Sequence, residues 1–125
     1  MSSFFVPYGQ GVICNALKAY LESIVFPIPN TNEAIPGKSI GIREISFKYV
    51  NKINNNIWIK IKFAGDYYFS YKQEMELVEA YLDKLLEGWW KHSDFETNSL
   101  EYGCNDKQLT ELGDFLRMGG YIIAK

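Results

Sequence analysis

The stretch Ile57-Trp58-Ile59-Lys60-Ile61-Lys62-Phe63-Ala64-Gly65-Asp66-Tyr67-Tyr68-Phe69-Ser70-Tyr71 decides the fold. Ile57, Ile59, Ile61 and Phe63 alternate with Trp58, Lys60, Lys62 and Ala64, a period of two that marks a strand with one buried and one open face. Gly65-Asp66 reads as a turn, and Tyr67 to Tyr71 as the next strand of an antiparallel sheet. If the connection is odd in length, Tyr67, Phe69 and Tyr71 join Ile59, Ile61 and Phe63 on the core face. If it is the two-residue Gly65-Asp66 turn, they join Trp58, Lys60 and Lys62 outside. Burial of a consistent apolar set favours the first arrangement.

On the N-terminal side, Ile45, Phe47 and Tyr49 alternate with Ser46 and Lys48, while Ile40 and Ile42 keep the opposite parity. A bulge near Arg43-Glu44 reconciles the two. Further back, Ile13, Ala16, Leu17, Tyr20, Leu21 and Ile24 recur at helical spacing, predicting a helix from about Gly11 to Val25. Pro27 and Pro29 end it and open a loop over residues 30–37. On the C-terminal side, Val78, Leu82, Leu85, Leu86 and Trp89 make one face of a helix from Gln73 to about Trp90, with Tyr81 at its margin. Lys91 to Gly103 reads as a polar loop. Asn105 and Gln108 have the spacing of a capping box, and Leu109, Leu112, Phe115 and Leu116 follow as a short helix stopped by Gly119-Gly120. Gly113 falls on its apolar side, where a missing side chain permits close helix packing. Phe4-Phe5-Val6 and residues 121–124 are candidates for short terminal strands.

The expected architecture is thus a single compact α+β domain over residues 1–125, in the order α-β-β-β-α-α. Its three-stranded antiparallel sheet grows to four or five strands if the termini pair, with helices packed on one face. That order is shared with the double-stranded RNA-binding module, but the second helix here opens with Gln73-Glu74-Met75-Glu76 and not with lysines, so it would repel phosphate.

Charge and chemistry narrow the function. Residues 1–72 hold eight basic and four acidic residues, a balance of +4; residues 73–125 hold five and eleven, a balance of −6. Glu76, Glu79, Asp83 and Glu87 form an acidic stripe opposite the apolar face of the second helix, and acidity continues through Asp94, Glu96, Glu101, Asp106, Glu111 and Asp114. Such a field steers association with a basic partner. Trp90, next to the core-bound Trp89, is the expected aromatic anchor. The expected partner-binding set is Glu76, Glu79, Asp83, Glu87, Trp90, Asp94 and Glu96.

The basic set Lys48, Lys60 and Lys62 with Trp58 has the composition of a nucleic-acid contact. A pI near 5.4 nevertheless makes direct nucleic-acid binding an unfavoured expectation. The chain has one histidine, His92; with Asp94 and Cys104 it forms the only conceivable nucleophile and base. Tyr8-Gly9-Gln10-Gly11 precedes a helix but lacks the lysine and third glycine of an anion cradle. Cys14 and Cys104 fit no metal-ligand spacing and are expected to be reduced, so no catalytic residue, metal or cofactor is assigned.

No basic leader and no long apolar run stands in the sequence, which sets the expectation of a cytoplasmic protein without membrane contact. In size, acidity and lack of catalytic residues the chain is of the type of bacterial immunity proteins and phage-encoded inhibitors, a likeness carried by no motif. The function expected is a small non-catalytic binding protein that neutralises a protein partner, such as a toxin or a nucleic-acid-processing enzyme. The alternatives are a metal-independent nuclease or hydrolase and a homodimeric structural or adaptor subunit.

Overall fold

The computed structural model describes residues 8–51, 56–64, 68–94 and 97–123. In chain order the elements are α1 (Gln10–Ser23), β1 (Val25–Pro27), β2 (Ala34–Pro36), a 3-10 turn (Gly37–Ser39), β3 (Ile42–Asn51), β4 (Asn56–Phe63), α2 (Tyr68–Leu85), β5 (Trp90–Asp94), β6 (Ser99–Cys104) and α3 (Asp106–Met118). The class is α+β, but with two antiparallel sheets: a β1–β2 ribbon and a four-stranded sheet in the order β3-β4-β6-β5.

The alternating segment is β4, the central strand, with Ile57, Ile59, Ile61 and Phe63 buried. On β3 the expected bulge lies where Ile42 pairs with Phe63 and Glu44 with Lys62. Arg43 is the extra residue, which lets Ile42 and Ile45 both face inward. The inner faces of β3, β4 and β6 meet Ile13, Leu17 and Leu21 of α1, Val78 and Leu82 of α2, and Leu109, Leu112 and Leu116 of α3 in one core. All three helices therefore cover the same side of the sheet.

Four expectations are corrected. The segment at 68–71 is the first turn of α2 and not a strand, so the question of its sheet register dissolves. Side chains at 68–72, and residues 65–67, lie outside the described residues. Second, α2 stops at Leu85. Gly88, at φ 90°, reverses the chain in a conformation that favours glycine, and Trp89-Trp90 passes into the sheet. Third, the stretch 91–103 is no loop: it supplies β5 and β6, and β6 inserts between β4 and β5. Residues 34–36 likewise form a strand, pairing with Val25–Pro27. Fourth, Tyr121 to Ile123 are not a strand; Tyr121 instead folds back, its hydroxyl 2.6 Å from Ser23 Oγ. The candidate strand at 4–6 lies outside the described residues.

The Asn105 capping box is present in full. Its side chain accepts from the Gln108 amide at 2.8 Å, and the Gln108 side chain accepts from the Asn105 amide at 3.0 Å. Gly113 permits close packing of a different partner from a helix. A Cβ there would lie 2.3 Å from the Tyr8 ring, whose hydroxyl donates to Asp114 and accepts from Arg117 Nε at 3.0 Å. Gly37 is tighter still, since an added Cβ would sit 1.8 Å from the Leu21 carbonyl oxygen.

Candidate functional site: an acidic helix layer and an open sheet face

Strand register divides the expected site residues between two surfaces. On β5 the side chains alternate, so Lys91 and Ser93 face α2 while Trp90 and His92 face the open side of the sheet. Lys91 Nζ lies 3.0 Å from Asp83 and 3.2 Å from Glu79, and Ser93 Oγ donates to Glu79 at 2.5 Å. Buried Tyr102, on β6, donates to the other Asp83 oxygen at 2.8 Å. Glu79 and Asp83 thus form the polar joint that seats α2 on the outer strand. An inward lysine on an edge strand also discourages pairing with another chain. Asp83 is the leading cause that holds the Lys91 ammonium above its ordinary range, outweighing desolvation. Burial first, then the bond to Asp83, pushes the Tyr102 phenol up as well.

Glu76 and Glu87 of the same stripe are exposed and carry no ion pair among the described residues. A groove of about 220 Å³ between the end of α2 and α3 is lined by Leu85, Trp89, Leu112 and Phe115 together with Glu87 and Glu111. Gln108 ties the two sides by donating to the Gly88 carbonyl at 3.4 Å. Phe115 also borders a second hollow of about 290 Å³ with Tyr20, Met118 and Tyr121. Phe115 is 42% and Met118 83% exposed, so α3 carries two apolar side chains open to solvent. Neither stands out in the sequence as a surface group, because Phe115 fits the apolar periodicity of α3 and Met118 lies in its last turn. Phe115 is itself one of five rings, with Tyr20, Tyr81, Phe26 and Tyr121, that interlock edge-on or tilted, with a short hydroxyl–hydroxyl bond between Tyr20 and Tyr81.

Trp90, 52% exposed, belongs by register to the open face of the sheet and not to the helix side. It stands on the open face in a row whose register runs Lys48, Trp58, Gly103, Trp90. The next rows are Ser46, Lys60, Glu101, His92 and then Glu44, Lys62, Ser99, Asp94. The side chain of Asp94, and all of Glu96, lie outside the described residues.

His92 and Cys104 cannot cooperate, because they occupy opposite faces of the sheet. Cys14 and Cys104 are both buried, and burial pushes each thiol up to about 12, where no thiolate forms at neutral pH. Gly9 caps α1 without a side-chain bond. Among the described residues no group of three or more His, Cys, Asp or Glu could hold a metal ion, and no helix is long and apolar enough to cross a membrane. In comparisons with protein-family models, curated proteins and solved structures, the chain matches none of them.

Proposed function

We infer that this chain is a small non-catalytic binding protein that captures and neutralises a protein partner with its acidic helix layer. The observation that carries the reading is the juxtaposition at the groove between α2 and α3. There exposed Phe115 and half-buried Trp89 line the same groove as Glu87 and Glu111, neither of which has an ion pair among the described residues. Unpaired carboxylates steer a basic surface toward the site, and the apolar lining supplies the desolvated contact that holds it. A toxin or nucleic-acid-processing enzyme, whose working surface is basic, is the class of partner this chemistry suits. Glu76 adds to the steering field, while Glu79 and Asp83 are occupied within the fold.

The experiment is affinity capture with the tagged protein beside a Glu87→Lys/Glu111→Lys variant, scored by what remains bound in stoichiometric amount. The reading expects one partner retained by the native protein and lost by the variant. A partner retained equally by both refutes the groove as the docking surface, and no partner at all refutes the capture function.

A further inference from the structure

The open face of the four-stranded sheet carries chemistry that the helix layer does not share. Trp58 lies against the backbone of Gly103, so that a Cβ at that position would fall 2.6–2.8 Å from three indole atoms. The indole therefore leans from β4 across β6 toward β5, where Trp90 is half exposed. The two tryptophans stand two strand spacings apart, about 9–10 Å at the backbone. Lys48 continues their row, and Lys60 and Lys62 stand behind it. Lys60 and Lys62 have no carboxylate partner within 4 Å among the described residues. Glu101, at the centre, is only 13% exposed and is tied to Lys48 at 3.6 Å; Glu44 and Asp94 stand at the two ends of the far row, that of Lys62, away from the tryptophans.

Size selects among occupants. Three rows on four strands span about 400 Å², half of the roughly 800 Å² per partner that a stable protein interface or homodimer buries. A polynucleotide needs no such area: bases stack on aromatic faces and lysines meet phosphates, which serves a few nucleotides at a time. The chain's overall acidity opposes nucleic acid only if charge is evenly spread. Here the unpaired acids of α2 and α3 lie on the helix layer, across the sheet from the lysines. We propose that the open face of the sheet binds a short run of single-stranded nucleic acid, with Trp58 and Trp90 stacking bases and Lys48 and Lys60 meeting phosphates.

The test is fluorescence anisotropy of dye-labelled oligothymidylate and oligouridylate titrated with the full chain at low salt. Saturable binding is expected, weakening as salt rises with a slope of roughly 0.7 per phosphate contacted. Trp90→Ala, at an exposed position, should weaken it about 5- to 150-fold, the span of one lost stacking contact. Lys60→Glu should weaken it and flatten the salt slope, while Glu87→Lys/Glu111→Lys, on the helix layer, should leave the slope and the Trp90 effect intact. Circular dichroism of each variant checks that it is folded. Absence of saturable binding by the native chain overturns the proposal, and so does binding that Trp90→Ala and Lys60→Glu leave unchanged.

Discussion

Replacing Asp83 by asparagine removes charge from a residue that the fold uses twice. Its carboxylate accepts from buried Tyr102 at 2.8 Å and meets Lys91 at 3.0 Å. The ion pair is partly exposed on both sides, so it contributes about 0.2–1 kcal/mol. The tyrosine bond to a charged acceptor contributes about 1.5–3 kcal/mol, and a neutral asparagine oxygen retains about 1 kcal/mol of it. The expected loss is about 1.5 kcal/mol, or about 5 °C in Tm for a domain of this length. Glu76→Gln and Glu87→Gln, which break no contact among the described residues, should stay within about 0.5 kcal/mol of the native protein. Urea unfolding followed by circular dichroism reads all three. The alkaline limb of the pH dependence follows from the raised Lys91. Its contribution is fully present below the unfolded lysine value of about 10.4 and is lost as pH rises through the higher folded value, so the gap between native protein and Asp83→Asn should persist through neutral pH and narrow in strong alkali. If Asp83→Asn proves as stable as Glu76→Gln, Glu79 and Asp83 are not the joint between α2 and β5, and the separation of structural from free acids fails.

Three further outcomes test the fold. Cys14 and Cys104, buried and with thiols pushed up to about 12, should resist iodoacetamide at pH 8 until denaturant is added; rapid labelling of the native protein would contradict their placement. Asn105→Ala should cost about 1 kcal/mol by removing the side-chain half of the capping box, read as a lower urea midpoint with an unchanged slope. Gly113→Ala should cost about 1–3 kcal/mol by driving a methyl group into the Tyr8 ring, and most of that cost should vanish in a Tyr8→Ala background. A penalty that persists without Tyr8 would mean the ring does not lie over Gly113.

The elements that were legible in the sequence are those whose apolar face meets the apolar core. α1, β4 and α3 each present a clean period to it, and the parity switch before Ile45 marks a real bulge. β5 gave no such signal for a physical reason: its inward positions are Lys91 and Ser93, which meet carboxylates of α2, so a strand facing a helix reads as a polar loop. β6 does alternate, through Leu100, Tyr102 and Cys104, but Gly103 in its midst has the look of a breaker until the Trp58 indole is seen to need that space. The aromatic run around Tyr68 resembled a strand because tyrosine and phenylalanine favour strands locally. The helical spacing of Met75, Val78 and Leu82 against the core accounts for the helix that carries it. Site residues followed the same division. Charge along α2 was visible, but which carboxylates are free depended on β5. Trp90 was recognisable as an anchor, yet its face was set by a strand that periodicity did not announce.

The most direct test of the acidic helix layer as a docking surface is the association rate with the captured partner as a function of ionic strength, for the native protein and for Glu87→Lys/Glu111→Lys. The native rate should fall steeply with salt, and the variant should associate much more slowly with a flattened dependence. Native and variant rates that coincide at every salt concentration would contradict that role of the helix layer.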